Sequence, residues 1–491
     1  MYQEGASHLV NSHTTNEAAI LSTTSFEEQR ALLRQLRTAI LQRFRPLLNS
    51  GAGPIRMMAR VVEELKQECY SYHIAEEIIQ EEIVNRTIGD INLRLITECE
   101  GEAGSSTDYR MLADELGLAL PGEDLAGYTA TGETYQWLRA QMMEYERLLL
   151  ANKFDLRVYD IYAVGNPIMR EWLAQEMQKW GYPVTSKNIQ MSLGAMDGID
   201  RALRGLAYRY RVENKSSFAM LCPEPGFGVP EWQASTYGYR IERLPTLAEH
   251  HFKLSADQLD QVLQQQEDIS LLYFTITNNP TAFAYTPEEI RAINGVLNRY
   301  RAQGREIFVL ADLAYIGTGK PEEDYERMAA FNEPETLKQT IFVSSFSKNY
   351  TLTGERFGWV TSGDPEIAAA ISVSWSNGVA SLPGEWQLRF MAYYQLFQAR
   401  PWLADKLRSF YRLRRTRFIA QLHRINAEQS LFEEIYVDDD ATVYNWSKLK
   451  AGEDAFSLFE KTGIAGVPGS GFGYTDEYIR FSIGVIPIAQ R

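Results

Sequence analysis

The chain has 491 residues, 45% of them hydrophobic and 23% charged, with a formal net charge of −15. That length exceeds one simple core, and the balance is that of a globular protein of two or three domains. The acidic surplus argues against a nucleic-acid or anionic-membrane partner, which needs clustered Lys and Arg. The odd, widely spaced cysteines Cys69, Cys99 and Cys222 argue against a disulfide framework or a zinc site.

Residues 1–25 are rich in Ser, Thr, Asn and His and are expected to be disordered. They lack the apolar segment of a signal peptide, and no apolar run is long enough to span a bilayer, so a cytoplasmic protein is expected. Two helical patterns follow, FEEQRALLRQLRTAILQRF and IRMMARVVEELKQECYSYHIAEEII, separated by the breaker Gly51–Pro54. After the polar stretch Glu100–Ser106, residues 107–153 carry a helical pattern with a loop near Pro121–Thr131. Asn166-Pro167 supplies a cap and a first-turn proline for a helix that Gly181 closes.

The middle of the chain then changes character. Apolar runs at Ser217–Cys222, Ile269–Thr277, Ile307–Ala311 and Thr340–Ser345 alternate with helical stretches, one of which opens at the capping box Thr286-Pro287-Glu288-Glu289. This alternation predicts a mostly parallel sheet flanked by helices. Residues 362–491 return to a helix-rich pattern, with strand candidates at Ala441–Trp446 and Tyr478–Ile483. The expected organisation is a disordered 1–25, a helical extension with part of a small domain over 26–153, a large domain over 154–370 and a C-terminal small α/β domain over 371–491.

Each apolar run is followed at once by a polar or Gly-rich cluster: Pro223–Gly228, Asn278–Thr281, Asp312–Tyr315 and Phe346–Lys348. In a parallel sheet these clusters fall at the carboxyl ends of the strands, where open α/β folds bind ligands. One crevice would then hold an amine, a carboxylate, amides, hydroxyls and an aromatic ring. That inventory suits pyridoxal phosphate. A lysine at the end of a buried strand can attack an aldehyde, and an aspartate beside a pyridine nitrogen keeps that nitrogen protonated. Ser345, Lys348 and Arg356 form a basic cluster for a phosphate. The turn Ser192-Leu193-Gly194-Ala195-Met196 precedes a helix whose N–H groups can cradle the same phosphate.

These motifs resemble the class I/II aminotransferases, which are fold type I pyridoxal-phosphate enzymes, over roughly residues 83–491. SSFSKNYTLTGERFGW is similar to the family's lysine motif, S-x-S-K…G-x-R-x-G. The resemblance implies that Lys348 is the Schiff-base lysine, that Ser345, Ser347 and Arg356 bind the phosphate, and that Asp312 is the pyridinium partner. It further implies that Tyr315 and Asn279 hydrogen-bond the phenolic oxygen and that Phe227 stacks on the ring. Gly194, Ala195 and Met196 match the phosphate turn, and Arg480 in YIRFSIG matches the arginine that grips the substrate α-carboxylate. Gly89 in RTIGDIN is a candidate for the substrate pocket. Tyr162 is preferred over Tyr159 as the tyrosine that crosses a dimer to the phosphate, and Trp375–Pro383 resembles the loop that crosses the dimer interface. The order of these elements matches the family's order, whereas any one alone is a common turn or cap.

The family's Asn-Pro-Thr-Gly turn here reads Asn279-Pro280-Thr281-Ala282. The implied activity is transfer of an amino group from an amino acid to a 2-oxo acid in a homodimer or higher homo-oligomer with a shared active site. The helical extension and the segment KTGIAGVPGSGFG also resemble aspartate 4-decarboxylases, so decarboxylation is the alternative, with a lyase, oxidase or cyclase behind it. Transcription regulators with aminotransferase-like domains carry a basic DNA-binding segment, and the mixed charge of residues 26–80, with acidic runs such as EEIIQEE, argues against one. Three further features are set aside: Gly317–Lys320 lacks full P-loop spacing, His250-His251 has poor metal geometry, and the acidic helices near 60–82 read as exposed faces.

Overall fold

The computed structural model describes residues 25–47, 54–87, 131–160, 163–437 and 443–483. The expected disorder of residues 1–25 therefore falls, but for Ser25, outside the described residues. Helix α1 (Phe26–Phe44) starts at a capping box: Ser25 accepts from the Glu28 N–H, and the Glu28 carboxylate accepts from the Ser25 N–H. The second helical pattern does not give one helix. It divides into α2 (Pro54–Ser71) and α3 (Glu76–Glu82), with a turn in which His73 takes a φ of +54°.

The break has a packing cause. The Ala75 N–H donates to Gln29 Oε1 at 2.9 Å, and Ile74, Ile78 and Ile79 turn into one core with Leu33 and Val61. The apolar spacing continues through the turn, so periodicity alone does not mark it. Nor are the acidic residues of this region all solvated. Glu82 is buried, and its carboxylate meets Arg34 at 3.1 Å and Arg37 at 3.4 Å. A buried carboxylate needs such partners.

After β1 (Val84–Asn85), helices α4 (Thr131–Ala151) and α5 (Pro167–Lys179) lead into the large sheet. Asn166 caps α5 by accepting from the Met169 N–H, and Gly181, just past its end, has φ +87°. The sheet comprises β2 (Ile189–Leu193), β3 (Ala219–Glu224), β4 (Arg240–Pro245), β5 (Ile269–Thr275), β6 (Phe308–Asp312), β7 (Thr340–Ser345) and β8 (Phe357–Ser362), in the order β2-β8-β7-β6-β5-β3-β4. Strands β3 to β7 are mutually parallel, and β8 runs antiparallel to β7 and β2. This is the mostly parallel, helix-flanked sheet that the alternation predicts.

Strands β5, β6 and β7 are covered on both faces, which is why they read as unbroken apolar runs. The runs do not reveal β2, β4 or β8. Strand β4, RIERLP, lies at the sheet edge, and its charges suit a position that must not pair further. Helices α6 (Ala195–Val212) and α7 (Pro287–Ala302) follow β2 and β5; Thr286 caps α7 in the expected box with Glu289.

Helices α8 (Gly384–Ala399) and α9 (Trp402–Gln429) connect to an antiparallel sheet of β9 (Phe432–Ile435), β10 (Tyr444–Leu449), β12 (Val467–Pro468) and β13 (Tyr478–Ser482), ordered β12-β13-β10-β9. Helix α10 (Ala455–Thr462) and β11 (Ile464–Ala465) lie between β10 and β12, and β11 pairs in parallel with β1. The N-terminal helices share one apolar core with this part of the chain. Met57, Met58 and Val62 pack with Phe456, Phe459 and Phe481, while α4 joins the core of the large sheet through Leu138 and Leu149. Among the described residues no helix is long and apolar enough to cross a membrane.

Candidate active site

The carboxyl ends of β3, β5, β6 and β7 open on a cavity of about 640 Å³. Asp312 is the last residue of β6 and is buried. Its Oδ2 accepts from the Tyr273 hydroxyl at 2.8 Å and its Oδ1 from the Ala314 N–H at 2.9 Å. Burial raises its pKa above the usual aspartate range, and these two donors oppose that rise. A cationic N–H at the free edge of the carboxylate would complete the set.

Lys348 sits in the loop joining β7 to β8. Ser345 pairs with Gly358 across the two strands, and the Phe346 N–H donates to the Phe357 carbonyl, so the loop is pinched at its base. The Tyr411 hydroxyl donates to the Lys348 carbonyl at 2.9 Å and ties the loop to α9. The side chain of Lys348 lines the cavity with those of Ser345 and Ser347, both buried. Thr351 and Arg356 take φ near +57° in the same loop, a conformation that non-glycine residues rarely adopt.

The phosphate-cradle candidates meet at the start of α6. Gly194 has φ +86° and ψ 170°, open in practice only to glycine, and it precedes the first turn, Ala195 and Met196. Arg356 packs on it. A Cβ at Gly194 would lie 2.4 Å from Arg356 Nη2, and that guanidinium donates to the Thr353 and Leu193 carbonyls. Gly358 lets β8 come this close: a Cβ there would stand 2.6 Å from the Gly194 carbonyl carbon. The helix N-terminus, Arg356 and the two serines form a cradle that fits a phosphate, and the Asp312 carboxylate fits a pyridinium nitrogen.

Asn279 joins the two halves of the site. Arg480, on β13, donates through Nη1 to Asn279 Oδ1 at 3.0 Å and through Nη2 to the Thr87 carbonyl at 2.6 Å. Arg480 is buried with its guanidinium 4.4 Å from the Tyr444 ring centroid and 4.9 Å from that of Phe472, and among the described residues its Nε has no hydrogen-bond partner. Burial lowers its pKa, and Tyr444 and Tyr315 oppose that shift. Tyr315 also lies in the cavity wall, and its hydroxyl is 3.3 Å from that of Tyr444. Phe227 lines the cavity from the loop after β3. That loop is braced by Asn278, whose side chain donates to the Pro225 carbonyl at 2.9 Å.

The structure thus brings Gly194's turn, Phe227, Asn279, Asp312, Tyr315, Ser345, Ser347, Lys348, Arg356 and Arg480 around one space. Gly89 and Tyr162 lie outside the described residues. Ala282 takes φ +66°, so alanine occupies a left-handed turn position where the family's glycine would carry no strain. Sequence reasoning missed Tyr444, Thr87 and Arg56, all of which line the cavity. No local signal marks them: a tyrosine in a strand and an arginine on a helix are unremarkable until the fold assembles them.

A model of the family described as aminotransferase class I and II matches residues 161–487. The LL-diaminopimelate aminotransferase of Maridesulfovibrio salexigens is 25% identical over 276 residues, which is 54% of this chain and 65% of that protein. The match therefore spans just under two thirds of that relative's length. The asparagine–oxo-acid transaminase of Streptococcus mutans is 24% identical over 339 residues, 65% of this chain and 78% of that protein. Among solved structures, Thermus thermophilus aspartate aminotransferase with maleate superimposes with a TM-score of 0.63 at 16% identity, over 90% of this chain and 95% of that one. That likeness carries the fold.

Proposed function

The chain belongs to the aminotransferase class I and II family, and on that footing we propose that it transfers the amino group of an amino acid to a 2-oxo acid with pyridoxal phosphate as cofactor. One observation carries the reading: Asn279, Asp312, Lys348, Arg356 and Arg480, from four separate segments, face a single cavity. The named relatives act on different amino acids, so the family alone does not select a substrate.

When bound, the cofactor supplies an aldehyde for amines and a ring that takes up the electrons of the breaking C–H bond. Lys348 is the amine that would hold the aldehyde, and it would carry the proton from the substrate α-carbon and back as general base and acid. Asp312, whose carboxylate accepts from Tyr273 and Ala314, would hold a proton on the ring nitrogen. Tyr315 and Asn279 would donate to the phenolic oxygen, and Phe227 would border the ring. Ser345, Ser347, Arg356 and the turn Gly194–Met196 would hold the phosphate. Arg480, positioned by Asn279 and Thr87, binds the α-carboxylate and so aligns the C–H bond for transfer. In this reading the working unit is a cytoplasmic homodimer or higher homo-oligomer, Tyr162 reaches the phosphate across the interface, and Gly89 borders the substrate.

The test incubates the loaded protein with a panel of amino acids, with and without an added 2-oxo acid. Release of a new 2-oxo acid beyond one equivalent per site only when an acceptor is present is the expected result. Carbon dioxide from aspartate without an acceptor would replace transamination by decarboxylation.

A further inference from the structure

One cation of the cavity stands apart from the contacts to cofactor and α-carboxylate. Four lining residues are cationic, Arg56, Lys348, Arg356 and Arg480, against one carboxylate, Asp312. In a chain of net charge −15 that local surplus marks a site for anions. Phosphate accounts for Arg356, the α-carboxylate for Arg480 and the aldehyde for Lys348. Arg56 has no such counterpart. It is exposed, and it has no hydrogen-bond or ion-pair partner among the described residues.

Arg56 belongs to the N-terminal helices and is nonetheless held at the cavity. It lies in the first turn of α2, and Ala59, one turn on, lines the same space. The neighbouring face of α2 is anchored: Met57, Met58, Val61, Val62 and Leu65 are buried in the core shared with β13 and α10. The same N-terminal segment continues through β1 to Thr87, whose carbonyl accepts from Arg480. One stretch of chain therefore fixes both the α-carboxylate arginine and a second cation facing the same space.

We propose that Arg56 binds the distal carboxylate of a dicarboxylic amino acid or 2-oxo acid, and that the N-terminal helices are thereby the specificity element of the site. The inference rests on the aminotransferase reading for the placement of the α-carboxylate at Arg480. A neutral side chain would leave Arg56 without a counter-charge; a second carboxylate would give it a charge-assisted, bidentate partner.

The experiment measures binding of succinate and of propionate to the holoenzyme by calorimetry, for the natural protein and for Arg56→Ala and Arg56→Lys. Transamination of glutamate, aspartate and neutral amino acids is followed in parallel. Arg56 is exposed, so its replacement leaves the fold in place. Arg56→Ala is expected to weaken succinate by roughly tenfold or more and to leave propionate unchanged, with Arg56→Lys recovering part of the loss. In turnover, KM for dicarboxylic substrates rises while kcat and the neutral substrates hold. Equal effects on both acids, or none, would overturn the proposal. A natural enzyme that transaminates only neutral amino acids would overturn it too, and would leave the transamination reading intact. A holoenzyme that transaminates nothing would overturn that reading, while the succinate–propionate difference would still decide the role of Arg56.

Discussion

Replacing Gly194 by alanine tests the link between backbone geometry and the phosphate cradle. At φ +86° and ψ 170° an alanine is strained, at a cost of about 1–3 kcal/mol. Its Cβ would also stand 2.4 Å from Nη2 and 2.9 Å from Cζ of Arg356. The guanidinium is the far end of a flexible side chain, so it swings away at little cost to folding. It then no longer reaches the cradle. Losing one charge-assisted contact of about 1.5–3 kcal/mol weakens pyridoxal phosphate roughly 10- to 150-fold. Urea unfolding of the cofactor-free protein reads the first effect, and a pyridoxal phosphate titration followed by visible absorption reads the second. A Gly194→Ala protein that unfolds within about 0.5 kcal/mol of the natural one and binds the cofactor equally well would refute the reasoning.

Four other substitutions probe separate parts of the protein. Gly463 caps α10 at φ +71°, and a Cβ there would lie 2.2 Å from the Glu82 carbonyl oxygen and 2.8 Å from Arg37 Nη1; Gly463→Ala should therefore cost about 2–4 kcal/mol in urea unfolding by prising the N-terminal helices from α10. Asp312→Asn should retain the cofactor but lower kcat roughly a hundredfold or more. Tyr273→Phe removes a donor that favours the ionised Asp312, so the acid limb of its pH–rate profile should move to higher pH. Glu224 lies against Gly473, with Arg243 at 3.4 Å, and burial, reinforced by the charge of Glu231, raises its pKa to about 7. The folded chain holds that proton more tightly than the unfolded one, so this group's contribution to stability falls as pH climbs from the ordinary glutamate range to about 7 and is level above it. Glu224→Gln should remove that slope when unfolding is compared at pH values across the window.

Much of the large sheet is legible in the sequence because its central strands are buried on both faces. Ile269–Thr275 and Thr340–Ser345 have to be apolar along their length, and the polar residues that follow them fall at their carboxyl ends. Strand β4 is illegible for the opposite reason, since an edge strand is selected for charge. The site follows the same division. Lys348, Asp312 and Asn279 are local to strand ends, and their spacing along the chain announces them. The pairing of Arg480 with Asn279 and Thr87 joins residues 201 and 393 positions apart, and no local pattern encodes it. The split between α2 and α3 and the burial of Glu82 depend on partners in α1, which periodicity within one helix does not register.

The central claim is that Lys348 carries the cofactor. Reduction of the pyridoxal-phosphate-loaded protein with borohydride, followed by proteolysis and mass mapping, tests it directly. The account predicts one pyridoxyl adduct, on the peptide containing Lys348, and a Lys348→Ala protein without that adduct and without visible absorption. An adduct on another lysine, or a natural protein that takes up no cofactor, would contradict it.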